Sequence, residues 1–272
     1  MKKLSVPFQG KTLAVYTNEQ TGKMPIVLIH GNSMSSKIWR KQFDSDLATK
    51  YFLVAYDLPG HGESDHFETY SLKMLSDSIS AVINYFPLSN YVLVGNSLGG
   101  DLILQEYSNL SNCRGIVLLG CPPIKNPPNA EQVYLPSETI GMFYSAAYDK
   151  HKLNTFASEM FSGNDIPSFI VEDYERNDGK ARQSIGAVIT EMSYADEVAI
   201  LENIQIPVAI MAGENDKLVN NSYFKTLRVP RLWNNQPSFI SDSAHCPQWE
   251  NAPAFNNLLD SFVKAVNQVP AE

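Results

Sequence analysis

A serine, an acid and a histidine occur along this chain in an order that can activate a hydroxyl nucleophile. Ser97 lies in a Gly-x-Ser-x-Gly pattern that follows a short apolar run and precedes a helical pattern. This order of strand, tight turn and helix places the serine at the tip of a sharp bend. Gly95 and Gly99 remove side chains that would clash where strand and helix pack closely. We therefore predict that Ser97 is a nucleophile exposed at the end of a sheet.

A serine nucleophile needs a base, and the base needs an acid that orients it. Among the five histidines, His245 lies in a loop between a possible strand over 238–240 and the last helical pattern. Asp216 follows the buried run 208–212 through a turn, between the serine and the histidine in chain order. We predict His245 as the base and Asp216 as the acid. Glu214 is the alternative acid, and an aspartate that only caps the turn is the alternative role for Asp216.

Two backbone N–H groups are candidates for stabilising an oxyanion. The N–H of Leu98 follows the serine directly, and Gly31 lets the loop after the first buried strand turn so that the N–H of Asn32 faces it. Two such donors typically contribute a few kcal/mol each to lowering the barrier. The Asn32 side chain either adds a third donor or orients the loop.

Other reactive side chains have more ordinary interpretations. His30 ends a buried strand, and we expect its ring to tether loops. Asp57 and His61 suggest a metal site, but no third ligand is suitably spaced, so we expect no metal. Cys246 is adjacent to His245, and because neighbouring residues usually point apart we expect a packed thiol.

Composition limits the class of protein. The 272 residues carry 21 Lys and Arg against 29 Asp and Glu, a net charge of −8, and no basic cluster that would favour nucleic acid. We find no apolar run long enough for a membrane span or a signal peptide. Cys113 and Cys121, like Cys246, are irregularly spaced, which favours buried thiols in a reducing compartment. We therefore expect a cytoplasmic protein.

Apolar runs of strand length alternate with helical patterns. Near-continuous hydrophobic runs are typical of parallel strands that are covered on both faces. The helical stripes over 71–86 and near the C-terminus fit packing against such a sheet. The alternation predicts an α/β protein with a parallel sheet. The predicted strands cover 26–30, 51–56, 91–94, 115–119 and 208–212.

The stretch 122–194 breaks this rhythm. It contains helical pieces rich in aromatic residues and Met, and we interpret it as a helical lid inserted into a core formed by 1–121 and 195–272. Ordinary peripheral helices are the alternative. The lid residues that we predict to touch substrate are Phe143, Tyr144, Tyr148 and Phe156.

These motifs together resemble the α/β-hydrolase superfamily over nearly the whole chain. The resemblance implies a mostly parallel central sheet flanked by helices and a Ser97–His245–Asp216 triad. The motifs that carry it are 30–33, 57–64, 95–100, 213–216 and 244–245.

A narrower resemblance points to the α/β-hydrolase-type N-acyl-homoserine lactonases, through 120–123, 176–182 and 232–234. That family implies a cytosolic, metal-independent quorum-quenching enzyme that opens a lactone ring beneath a lid covering the acyl chain. Asn32 and Leu98 fall on the oxyanion positions of that family. Asp216 falls at a position where members of the family can carry a glutamate as the acid. Phe156 falls where a tyrosine is expected over the lactone.

The chemistry predicted is hydrolysis of a small-molecule ester or lactone through an acyl-enzyme, with no metal or organic cofactor. A hydrolase fold that serves as a small-ligand receptor or scaffold with little turnover is the alternative. Amidases, peptidases and C–C bond hydrolases of the same fold also remain compatible with the motifs. The oligomeric state is left open.

Overall fold

One mixed β-sheet organises the chain. The computed structural model describes residues 1–163 and 166–268. The strands of the sheet lie in the order β1-β2-β4-β3-β5-β6-β7-β8. Their bounds are β1 Lys2–Phe8, β2 Lys11–Thr17, β3 Pro25–Ile29, β4 Phe52–Tyr56, β5 Tyr91–Asn96, β6 Cys113–Leu119, β7 Val208–Gly213 and β8 Ser238–Ile240.

The central strands confirm the prediction of a parallel sheet. Strands β4, β3, β5, β6, β7 and β8 pair in parallel along the sheet. Every residue of β3, β4, β5 and β7 is buried. Both faces of these strands are therefore covered, which explains why their sequences are hydrophobic without alternation.

The sequence analysis did not identify the first two strands. Strand β1 pairs antiparallel with β2, and β2 pairs antiparallel with β4. In β1, Val6 and Phe8 are buried whereas Ser5 and Pro7 are exposed. This two-residue alternation is the pattern of an edge strand with one face on the core.

Helices fill the connections between the strands. The predicted stripe over 71–86 forms α3, and the side chain of Ser71 accepts a hydrogen bond from the Met74 N–H at its start. The helices are α1 Arg40–Phe43, α2 Leu47–Lys50, α3 Leu72–Tyr85, α4 Leu98–Glu106, α5 Ala130–Val133, α6 Leu153–Met160, α7 Phe169–Arg176, α8 Gly179–Glu191, α9 Glu197–Glu202, α10 Asn221–Phe224, α11 Pro247–Glu250 and α12 Ala252–Asn267.

The helices pack in two groups beside the sheet. Helix α4 contacts α3 and α9, while α12 contacts α1 and α11. A Cβ added at Gly115 of β6 would lie 2.8 Å from the ring of Phe262, so α12 packs directly on the sheet. No helix among residues 1–163 and 166–268 is long and apolar enough to cross a membrane.

The stretch 122–194 holds α5 to α8 between β6 and β7. Helix α8 packs on a 3-10 turn over Ile140–Tyr144, and α6 packs on α7. The junction between α7 and α8 is tied to the core, because the Asn177 amide accepts a hydrogen bond from the Gly62 N–H and donates one to the Met34 carbonyl, at 2.8 and 2.9 Å. These contacts fix the helical stretch above the carboxyl ends of β3 and β4.

Candidate active site

Ser97 occupies a sharp bend between β5 and α4. Its φ of 50° and ψ of −123° lie in a region that costs a non-glycine residue about 1–3 kcal/mol. The Ser97 N–H donates to the Leu119 carbonyl at 2.9 Å, which ties the bend to β6. A Cβ added at Gly99 would lie 2.5 Å from the Ile29 carbonyl oxygen, as the predicted close packing requires. The surrounding backbone thus holds the serine in a strained conformation.

His245 and Asp216 form a buried hydrogen bond. The Nδ1 atom of His245 lies 2.8 Å from Oδ2 of Asp216, and neither side chain is more than 3% exposed. The other oxygen of Asp216 accepts the N–H groups of Leu218 and Val219, at 2.8 and 3.0 Å. Glu214, the alternative acid, is exposed to solvent. The geometry therefore pairs His245 with Asp216.

The charge on Asp216 controls the pKa of His245. Burial alone lowers the pKa of the imidazole, but the charge of Asp216 and its hydrogen bond, followed by the charges of Glu250 and Asp101, raise it above the ordinary 6.5. A positive imidazolium is thus favoured at a place where proton transfer from a serine would create one.

Asn96 connects the serine bend to the histidine loop, a role that the sequence analysis missed. Its amide nitrogen donates to the carbonyls of Leu119 and His245 at 3.1 and 3.3 Å, and its oxygen accepts from Gln248 at 3.1 Å. The side chains of Asn96 and Gln248 are fully buried. The two loops are therefore held in one fixed relation.

The predicted oxyanion residues line the same cavity as the serine and the histidine. Asn32, Ser97, Leu98 and His245 all face this cavity, which we call the Ser97 cavity. The side-chain amide of Asn32 donates to the Phe143 carbonyl at 2.6 Å. That bond favours the loop-orienting role for the Asn32 side chain over the role of a third oxyanion donor.

The histidines at 30 and 61 are buried structural groups. Nε2 of His30 accepts the Leu58 N–H at 3.0 Å, so its ring links two loops as expected. Burial lowers the pKa of His30 to about 4 and that of His61 to about 3. Asp57 accepts the N–H groups of Ser36 and Glu63, at 2.7 and 2.8 Å. These carboxylate and imidazole groups are thus engaged in holding loops.

The proposed lid residues divide into two sets. Phe143 and Tyr144 line the Ser97 cavity. The ring of Phe156 packs between Phe143 and Tyr174, with centroid distances of 4.7 and 4.8 Å, and Tyr148 packs on Tyr174 at 5.0 Å. Phe156 and Tyr148 thus support the cavity wall from behind.

The sequence analysis did not identify most of the apolar residues that line the Ser97 cavity. The spacing of Ile185 and Ile189, one helical turn apart on α8, is a signal that could have indicated a shared face. Further lining residues are Ile124, Tyr134, Ile140, Leu218 and Val219.

Asp101 also lines the Ser97 cavity, one helical turn beyond the serine. It accepts a hydrogen bond from the Cys121 thiol at 3.0 Å. Burial raises the pKa of both carboxyl groups, and the charge of Asp101 raises the pKa of Glu197 further. This acidic pair was not anticipated, although the spacing of four residues between Ser97 and Asp101 places Asp101 on the same helix face as the serine.

A family model described as the α/β hydrolase fold matches residues 24–252. The chain belongs to the α/β-hydrolase family. The family resemblance predicted from the motifs is thus confirmed.

This hydrolase is similar to several characterised proteins. A structure of the N-acyl homoserine lactonase AidH with N-butanoyl homoserine superposes with a TM-score of 0.94 at 22% identity, covering 100% of both chains. The bifunctional esterase/perhydrolase DCH of Acinetobacter calcoaceticus is 24% identical over 72% of this chain and 75% of its own. A 2-hydroxy-6-oxononadienedioate/2-hydroxy-6-oxononatrienedioate hydrolase of Escherichia coli (strain HS) is 23% identical over 96% of this chain and 94% of its own. The predicted likeness to the lactonases is confirmed for the fold.

Proposed function

We propose that this hydrolase cleaves a carboxylic ester or a lactone through an acyl-enzyme on Ser97. The observation that carries the proposal is the buried His245–Asp216 hydrogen bond, 2.8 Å long, beside a cavity that Ser97 also lines. A serine, a histidine and an acid in this relation are the groups required for nucleophilic acyl transfer.

In the proposed reaction, the Ser97 oxygen attacks the substrate carbonyl carbon while His245 accepts the hydroxyl proton. The N–H groups of Asn32 and Leu98 bind the oxyanion of the tetrahedral intermediate. The C–O bond to the leaving alcohol then breaks, and His245 returns its proton to that oxygen. Water, deprotonated by His245, attacks the acyl-enzyme, and its proton passes to Ser97 as the acid leaves. Asp216 stabilises the imidazolium in both halves.

The finer proposal is that the substrate is an N-acyl-homoserine lactone, which would make the protein a quorum-quenching enzyme. The likeness to AidH supports it, because it extends over the whole chain, including the helical stretch above the site. Phe156 offers no hydroxyl to a lactone, so any such contact would have to come from Tyr134 or Tyr144 in the cavity wall. The proposed compartment is the cytoplasm, which the three buried, unpaired cysteines favour.

Labelling with a fluorophosphonate probe tests the nucleophile. We expect labelling of the native protein and none of Ser97→Ala, while Ser108→Ala, which alters an exposed serine, labels normally. Equal labelling of native protein and Ser97→Ala would overturn the assignment.

Turnover separates the proposal from its alternatives. Methyl esters and N-acyl-homoserine lactones are assayed side by side, by acid release at constant pH, with Ser97→Ala as the blank. Cleavage of esters but not lactones would refute the lactone proposal alone. Tight lactone binding without Ser97-dependent turnover of any substrate would instead favour a receptor. A 2-hydroxy-6-oxononadienedioate is added to the panel because one relative is named as its hydrolase.

A further inference from the structure

The loop that carries Asn32 is strained and is held by side chains from outside it. We call residues 31–35 the oxyanion loop. Ser33 has a φ of 63°, in the left-handed region that a non-glycine residue adopts only at a cost in free energy. Within the loop, the Met34 N–H donates to the Gly31 carbonyl at 3.3 Å and the Ser33 hydroxyl donates to the Asn32 side chain at 3.1 Å. A strained conformation of this kind persists only where its surroundings fix it.

Helix α7 supplies part of this outside support. The buried carboxylate of Asp173 accepts hydrogen bonds from the Ser35 hydroxyl and, at 2.8 Å, from the ammonium group of Lys37. Asn177, which directly follows α7, donates to the Met34 carbonyl at 2.9 Å. Because residues four apart lie on the same side of a helix, one face of α7 is directed at the oxyanion loop.

Tyr174 lies beside Asp173 on α7 and reaches the oxyanion loop by a different route. Its hydroxyl donates to the Met142 carbonyl at 2.8 Å. The next carbonyl along the chain, that of Phe143, accepts the hydrogen bond from the Asn32 side-chain amide at 2.6 Å. Tyr174 is fully buried and lies outside the lining of the Ser97 cavity, so it can influence the reaction only through such bonds.

The ring of Tyr174 is itself fixed on its other sides. The guanidinium of Arg182 lies 4.2 Å from the ring centroid. Arg182 also donates to the carbonyls of Tyr174 and Ser145, both at 3.2 Å. The rings of Tyr148 and Phe156 pack on Tyr174 with centroid distances of 5.0 and 4.8 Å. The Tyr174 hydroxyl therefore cannot shift without moving several other groups.

We propose that Tyr174 is a positioning residue for the oxyanion N–H of Asn32, acting through the successive carbonyls of Met142 and Phe143. The inference rests on the proposed function, because the direction of this N–H matters for catalysis only if an oxyanion forms beside Ser97. Without the hydroxyl, the walls of the Ser97 cavity stay in place but the N–H is no longer held in one direction. The transition state then loses a stabilisation that the ground state does not have, which lowers kcat more than it changes KM.

Tyr174→Phe tests the inference, because it removes the hydroxyl and keeps the ring. Loss of a whole oxyanion donor costs roughly 10²–10³ in kcat, so a donor that is present but loosened should cost about ten- to a hundredfold. We expect kcat on the best methyl ester or lactone to fall by that factor while KM stays within about twofold of native. Thermal unfolding, measured in parallel, shows that the variant folds.

Tyr91→Phe is the matched control. Tyr91 is also buried, and its hydroxyl donates to the Ser111 carbonyl at 2.8 Å, the same kind of bond at the same length. It stands at the start of β5, whereas Ser97 follows the end of that strand. Tyr91→Phe should therefore keep native kcat although it loses an equivalent hydrogen bond.

A transition-state analogue shows whether the loss arises at the oxyanion. The Ser97 oxygen adds to the carbonyl carbon of a trifluoromethyl ketone, its proton passes to His245, and the ketone oxygen becomes an oxyanion. The inhibition constant of this ketone should rise in Tyr174→Phe by the factor by which kcat/KM falls. The inhibition constant of the product acid should stay at its native value.

A double-mutant cycle shows whether Tyr174 acts through Asn32. Asn32→Ala deletes the side-chain link to Phe143 and keeps the backbone N–H. Adding Tyr174→Phe to Asn32→Ala should lower kcat by less than about threefold further, because the link is already broken. Native kcat in folded Tyr174→Phe, a loss confined to KM, or fully additive losses would each overturn the inference and leave the proposed function standing. If the native protein cleaves no ester or lactone, the proposed function fails and the inference fails with it.

Discussion

Replacing Asp216 by Asn isolates the electrostatic part of the proposed mechanism. One oxygen of Asp216 accepts the N–H groups of Leu218 and Val219, and the other accepts the Nδ1 proton of His245. In Asp216→Asn the two backbone donors still require an acceptor, so the amide oxygen takes that position. The amide nitrogen then faces Nδ1 and donates to it.

This reversal fixes the wrong tautomer of His245. An imidazole that accepts at Nδ1 carries its proton on Nε2 and cannot receive the proton of Ser97. In serine proteases with a Ser-His-Asp triad, replacing the aspartate by asparagine lowers kcat by about 10⁴, which corresponds to roughly 5.4 kcal/mol in the barrier. We expect a loss of similar size here, because the His245–Asp216 pair is buried from water.

The assay is kcat on the best methyl ester or lactone at pH 8, with thermal unfolding measured in parallel to show that the variant folds. Glu214→Gln is the matched control, since Glu214 lies two residues away on the same turn but is exposed. It should retain native kcat. A folded Asp216→Asn enzyme with more than about a tenth of native kcat would refute the assigned role of Asp216.

Two further predictions concern protons. Because His245 acts as a base only when neutral and Asp216 raises its pKa, kcat/KM should fall on the acidic side with a midpoint above 6.5; a midpoint below about 6 would contradict this. Burial raises the pKa of Asp101 and Glu197, so the folded state binds more protons than the unfolded state above pH 4. The free energy of unfolding in urea should therefore fall more between pH 5 and 8 for the native protein than for Asp101→Asn, and equal falls would refute the reasoning.

Local pattern was sufficient to predict which polar side chains lie together at the candidate site. The bend at Ser97 is encoded within a few residues, because only glycine fits where Gly99 approaches the Ile29 carbonyl. Asp216 and His245 follow strands whose apolar runs are readable, and parallel strands bring their carboxyl ends to one edge of the sheet. The sequence therefore specified which side chains would meet without any knowledge of helix packing.

The lining of the Ser97 cavity could not be predicted in the same way. Tyr134 and Ile185 line it from two separate pieces of the helical stretch, and their meeting depends on how α8 packs on the 3-10 turn at Tyr144. Nothing local distinguishes a cavity-lining aromatic such as Phe143 from a supporting one such as Phe156, since both are buried among other rings. The edge strand β1 was missed for a simpler reason, because Pro7 and two lysines weaken its strand pattern.

The polar side chains around Ser97 and the apolar wall of the Ser97 cavity are consequently held in place by different kinds of interaction. The serine bend and the histidine loop are joined by the buried amides of Asn96 and Gln248. A buried polar network of this kind fixes a geometry, because breaking any of its hydrogen bonds leaves a buried polar group without a partner. The apolar wall formed by Ile185 and Ile189 has shape and apolar surface to keep, so volume-conserving hydrophobic swaps there should cost less than a break in the Asn96 network.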